Sequence, residues 1–368
     1  MSSDKNVDSY TIGKVIKMEK NILGTIEENL KRKRQKKYCS AKELLNIECS
    51  RKIIKAHTIS KSSSLSTIMD KQNEVMGNDL SLCKLIENNG LGEPRKIGVN
   101  HASTFTGFCS EHDKLLFSRI EDEEIIPDLE QIFLFSYRGL CREIYTKGYQ
   151  KNSGLKECIL NGGNLIKQLS EEYKYWERNI SIFESYANLG FNELIDTQAN
   201  MHTMWKTKDF NRLESFIIEL SSPAQILSSG TFIPNISFSN EKIFDLKNSS
   251  IRIHQMFFNI INSSNRGYII FSWVKDDANE FYYNFIKSFL NIRTNKKKED
   301  SLVRFVFSFF ENTFFSPVWW NSLNEKQKAE INTKREETFS HNLASVRAKN
   351  YNAFKILKYD YFKEKNSK

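Results

Sequence analysis

The sequence predicts an α+β chain of more than one domain, because its hydrophobic period changes several times along 368 residues and no single period runs throughout. A basic amphipathic segment opens the chain, short strands and loops follow, a mainly helical region comes next, and a stretch with both strands and helices closes it. The expected boundaries are 1–37, 38–124, 125–225 and 226–368.

Residues 10–37 space Ile12, Val15, Ile16, Ile22, Leu23, Ile26 and Leu30 as an amphipathic helix that ends in KRKRQKK. RKIIKAHTIS at 51–60 reads as a strand, the polar run with Gly77, Gly90, Gly92 and Pro94 as a long loop, and HASTFTGF at 101–108 as a second strand. CSEHDKLLFSRIED at 109–122 then starts a helix. In the middle region Leu169, Tyr173, Trp176, Ile180 and Phe183 alternate steps of four and three, which makes one apolar helical seam for core or partner packing. After SSPAQILSSGTFIPN the period returns to two. IRIHQMFF at 251–258 and GYIIFSWV at 267–274 read as strands, the second central because it is nearly all apolar. Helices are expected at about 277–292 and 301–315, with KKKED at 296–300 an exposed loop between them. From Asn324 on, the pattern is a charged helix and a basic tail that frays.

Composition narrows the function classes. With 39% hydrophobic residues, 27 Phe and 14 Tyr, there is enough apolar area to offset the entropy of ordering the chain. No run is apolar for the 18 or so residues of a membrane span, and MSSDKNVDSY has no signal-peptide pattern, so a soluble cytoplasmic protein without a membrane partner is expected. The charge of +9 is uneven: residues 1–61 hold fifteen Lys or Arg against seven Asp or Glu, a net +8. That concentration, with Lys31, Arg32, Lys33, Arg34, Lys36 and Lys37 at its centre, points to a nucleic-acid backbone as partner. A partner protein or a second copy through the helical seam is the other expectation.

Six cysteines, at 39, 49, 83, 109, 141 and 158, are too sparse for a disulfide scaffold. Cys141 and Cys158 fall on apolar helical faces and read as packed thiols. Cys109 and His112 are three apart at a helix start, where one turn brings a thiolate and an imidazole to the same side. A tetrahedral zinc needs two more ligands. Cys49 is the first choice and Cys39 the second, with Cys83 able to replace Cys39. His57, at the end of the IIKAH strand, has the titration range of a general base. Asp113 leaves the other side of the helix start and suits a hard divalent cation. Glu121 to Glu124 read as a solvated link, His341 and Arg335 as a charged helix face, and Trp319 with Trp320 as a seal on the C-terminal core.

This order of cysteine knuckle, strand ending in His, loop, second strand and Cys-x-x-His-Asp helix resembles the HNH or ββα-metal nucleases, in particular their treble-clef, endonuclease VII-like branch. The resemblance implies an N-terminal ββα-metal module and a metal-dependent endonuclease acting on nucleic acid, DNA above all. It implies His57 as base, Cys39, Cys49, Cys109 and His112 around a structural Zn2+, and Asp113 as ligand of a catalytic Mg2+ or Mn2+. The family's Asp before the catalytic His is here Ala56, with Asn100, His101, Asp70 or Asp79 as substitutes. CSRKIIKAHTISKSSSL and GVNHASTFTGFCSEHDKLLFSRIE also resemble uncharacterised bacterial proteins of the kind found among phage-defence genes. The rival expectation is a zinc-stabilised adaptor that binds nucleic acid or protein without cleaving. In a third, the body senses a phage product or a partner subunit and the module is its effector.

Overall fold

The computed structural model describes residues 37–45, 47–50, 52–78, 94–151, 190–243, 255–276, 279–336, 343 and 349–361. The expected opening helix with Lys31, Arg32, Lys33, Arg34 and Lys36, the expected seam from Leu169 to Phe183, and Asp79, Cys83, Cys158 and His341 lie outside them.

Two sheets organise the fold, as an α+β chain requires. The smaller pairs β1 (Ile53–His57) antiparallel to β4 (Thr104–Cys109), with Ile54 opposite Phe108 and His57 opposite Thr104. β4 runs directly into α1 (Ser110–Glu121), whose cap is the Cys109 thiol, accepting the His112 backbone N–H. Glu111 and Asp113 in its first turn and Arg119 in its last suit the helix dipole.

The larger sheet has eight antiparallel strands. It contains β2 (Glu74–Asn78), β3 (Pro94–Gly98), β5 (Leu213–Leu220), β6 (Ile226–Phe232), β7 (Met256–Asn262), β8 (Gly267–Val274), β9 (Thr313–Phe315) and β10 (Ile356–Tyr361), in the order β10-β5-β8-β7-β6-β9-β2-β3. β7 is buried at every position and β8 at all but one, so both faces of the sheet centre are covered.

Alternation along those strands divides two cores. Phe257, Ile261, Ile270 and Val274 face α2 (Leu129–Lys151), which lies across β6 and β7 and carries Phe133, Tyr137 and Leu140. Gly139 lets that helix approach closely, since a Cβ there would stand 2.9 Å from the Ser229 hydroxyl. A helix over 190–207 adds Leu194, Met201 and Met204 to the same core. On the other face, Phe258, Ile260, Ile269, Phe271 and Trp273 meet α3 (Asn279–Leu290) and α4 (Asn295–Phe309). α5 (Pro317–Ser322) and α6 (Glu325–Glu336) complete this layer, with Trp319 buried and donating to the Tyr351 carbonyl. None of the described helices is long and apolar enough to cross a membrane.

Four expectations are corrected. KKKED is not a loop: the Thr294 side chain caps α4, Lys298 and Asp300 are buried, and the Asp300 carboxylate accepts the Tyr351 and Lys349 N–H groups. The C-terminal stretch does not simply fray, because Ile356–Tyr361 pairs with β5 and closes one edge of the sheet. The polar run after His57 holds β2 and β3, which attach through β9 to the opposite edge. The helical region ends before residue 225, at β5, and SSPAQILSSGTFIPN itself contains β6. Thr294→Ala is expected to cost about 1 kcal/mol in urea unfolding, the usual worth of such a cap; an unchanged midpoint would remove that role.

Candidate metal centre

Cys109 ends β4 and His112 sits one turn into α1, so strand and helix deliver both side chains to the same point. The Cys109 Sγ lies 3.0 Å from His112 Nδ1. Upstream, the Ser40 N–H donates to the Gly107 carbonyl at 2.8 Å and ties the turn that carries Cys39 to β4. The Tyr137 hydroxyl on α2 donates to the Ser40 carbonyl at 3.0 Å and holds the same turn from the other side. Cys49 comes in along the approach to β1, where Ser50 and Ser110 share a 2.9 Å hydroxyl hydrogen bond.

The donor atoms of Cys39, Cys49, Cys109 and His112 all lie within 4.8 Å of one another. Among the described residues this is the one group of three or more His, Cys, Asp or Glu side chains that converges in this way. Cys39 thus stands with the other three, while Cys83, its alternative, lies outside the described residues.

The donor set fits a zinc ion. Bonds of about 2.0–2.3 Å from sulfur and nitrogen to zinc need ligand atoms a few ångströms apart, and three thiolates with one imidazole are the soft donors zinc prefers. Electrostatics argues the same way. Burial pushes the Cys39 thiol up to about 12, with the charge of Cys109 and Cys49 adding to it, and burial raises Cys49 as well, where a hydrogen bond with Cys39 opposes and Cys109 adds. Burial would also raise Cys109, but hydrogen bonds from His112 and Ser50 outweigh it and bring that thiol down to about 6. Several thiolates at one point repel each other, and a bound cation removes that penalty. His112 Nε2 is buried without a hydrogen bond, so the ring is held from its Nδ1 side.

His57 stands at the opposite end of β1 from the thiols. It is half-buried, and its Nε2 lies 3.2 Å from the Val99 carbonyl. It lines a cleft of about 590 Å³ together with Lys61, Ser62, Ser66, Asn73, Asn100 and Glu121. Burial lowers its pKa; the Val99 bond works against this and the positive charge of Arg138 adds to it.

Asp113 is in the same region but is already engaged. Its carboxylate lies 3.3 Å from Arg138 on α2, and Arg138 also donates to Glu121 at 2.6 Å. The guanidinium is 1% exposed and lies 4.3 Å above the Phe117 ring. Burial raises the Asp113 pKa, with Arg138 opposing. Ala56 is 2% exposed, opposite Phe105, and belongs to the apolar core; a carboxylate there would be buried without a partner. Of the other substitutes among the described residues, Asp70 is paired with Lys96 at 2.6 Å, His101 is exposed, and Asn100 lines the cleft. Among the described residues no group of three or more His, Cys, Asp or Glu donors converges beside His57.

Glu121 is not the solvated link that its EDEE context suggests, because it is turned toward Arg138 and the cleft. Arg138 was also missed, although its signal is legible: IFLFSYRGLC sets one arginine in an otherwise apolar helical run, and a charge on a buried face has a partner. Cys141 is buried, as expected of a packed thiol, and accepts from Gln198 at 3.5 Å. Lys37 is exposed. Comparison of the chain with family models, with curated proteins and with solved structures found no match.

Proposed function

We propose that the chain is an HNH-type endonuclease on a zinc-stabilised ββα, treble-clef module, with His57 as the general base that cleaves a nucleic-acid phosphodiester, DNA being the first substrate to test. The antiparallel pair of β1 and β4 leading into α1, with Cys39, Cys49, Cys109 and His112 at one end and His57 at the other, supports the module. The observation that carries the catalytic reading is the bond between His57 and Val99. A carbonyl only accepts, so Nε2 bears the hydrogen and the neutral ring keeps its lone pair on Nδ1. A lowered pKa keeps that ring neutral at physiological pH.

In this reaction Nδ1 takes a proton from water as its oxygen bonds to phosphorus. The P–O bond to the leaving oxygen breaks, and solvent returns a proton to that oxygen. Lys61 at the cleft offers charge to the phosphate. The basic N-terminal stretch, with Lys31, Arg32, Lys33, Arg34, Lys36 and Lys37, would hold the backbone without reading bases. Zinc supplies structure only. A divalent Mg2+ or Mn2+ would add charge stabilisation, but with Asp113 on Arg138 no step is assigned to one. The resemblance to phage-defence proteins suggests the setting.

His57→Ala is expected to lower the plasmid-nicking rate by about 10²–10⁴-fold, the usual share of a general base, while the zinc content stays at the wild-type value. Assays run with magnesium, manganese and chelator separate metal-assisted from unassisted cleavage. The engagement of Asp113 by Arg138 favours a second reading, a non-catalytic adaptor. Zinc retained, salt-sensitive DNA binding and no cleavage in any of the three conditions would establish that reading and overturn the first.

A further inference from the structure

We propose that Arg138 is the positioning residue of the His57 cleft, a sealed guanidinium that ties both ends of α1 to α2 and so presents Glu121 as the acidic wall facing His57. Its function in cleavage rests on the nuclease reading; its geometry does not.

A guanidinium 1% exposed is expensive to bury unless its charge is matched, and here two carboxylates match it. The pair comes from the first and last turns of α1, at Asp113 and Glu121, and Arg138 lies on the neighbouring helix. A planar fork of donors can meet both at once, which a single ammonium cannot do in the same way. Phe117, between the two carboxylates on α1, gives the guanidinium a ring face at 4.3 Å and excludes water from it. Asp113 is 14% exposed and Glu121 35% exposed, so the first is sealed while the second opens to the cleft. An arrangement made only to join two helices does not require the outer carboxylate to line the same cleft as His57.

The consequence is a fixed acceptor opposite a fixed base. Glu121, held by Arg138 on one oxygen, can orient the water whose proton His57 removes. The charged groups facing His57 are Arg138 from α2, Glu121 and Asp113 from α1, and Lys61 from the segment after β1. Arg138 and Lys61 disfavour the imidazolium, and Glu121 favours it.

The test uses the full chain carrying zinc and reads the His57 ring by NMR, its signal identified by loss in His57→Ala. Arg138→Met is expected to move the His57 titration to higher pH, and Glu121→Gln to lower pH. The acid limb of the cleavage profile should move in the same directions. Arg138→Lys, which keeps the charge but not the fork, is expected to lower kcat with KM nearly unchanged and to leave the titration in place. Thermal melts establish which variants fold; if Arg138→Met does not, Glu121→Gln decides. A folded Arg138→Met or Glu121→Gln with a wild-type His57 titration would overturn the proposal. If the wild type cleaves nothing, the nuclease reading fails and the ring titration still decides the role of Arg138.

Discussion

Cys109→Ser is expected to release the bound zinc and to lower the melting temperature by on the order of 10 °C. The size follows from linkage: a metal held at a thousandfold its dissociation constant adds about 4 kcal/mol to the folded state, and losing it removes that stabilisation. Cys109 is the most sensitive of the four ligands because it has three roles. It ends β4, caps α1 and meets His112 at 3.0 Å, so its loss disturbs strand, helix and metal together. A wild-type preparation should hold one zinc per chain by elemental analysis, and chelation should reproduce the melt of the variant. Cys39→Ser should also lower zinc content, whereas Cys83→Ser should not. A wild-type protein free of metal, or a Cys109→Ser protein that melts as the wild type does, would remove the metal centre.

Phe305→Ala is expected to destabilise the body by about 3–5 kcal/mol, the range for a large aromatic deleted from a packed core. Phe305 is fully buried, and its ring lies 4.9 Å from Phe232, 5.0 Å from Phe309 and 5.1 Å from Phe258, centre to centre. Phe238, Phe271, Phe285 and Phe310 surround it at 5.4–5.7 Å. These rings come from α3, α4, β6, β7 and β8 and the segments beside them, so the cavity would open where the sheet and its helical layer meet and few neighbours are free to collapse. Urea unfolding measures the loss. Val318→Ala, at a position 71% exposed, serves as the control and should change stability by less than about 0.5 kcal/mol. A Phe305→Ala protein as stable as that control would mean that the aromatic cluster does not hold the layers together.

Elements whose signal is local are legible from the amino-acid order alone. GYIIFSWV is a central strand because its residues are apolar toward both faces, and CSEHDKLLF starts a helix because a capping side chain and two acidic residues stand in its first turn. The pair Cys109 and His112 was legible for the same reason, since a separation of three on a helix needs no other part of the chain. Cys141 and Trp319 also read correctly, because apolar surroundings in sequence became apolar surroundings in space.

Features that depend on distant partners emerge when the chain packs. β2 and β3 lack an alternating pattern, and β2 is a strand because β3 and β9 supply its hydrogen bonds. Lys298 and Asp300 are buried in spite of their charge because the Tyr359 ring and the backbone at 349–351 come to meet them. β10 exists because β5 offers an open edge. Cys39 reaches the other three donors on a turn held by Gly107 and Tyr137, more than sixty residues away. Arg138 follows the same rule: a buried charge is stable only where its counter-charges arrive, and Asp113 and Glu121 reach it only when α1 lies on α2.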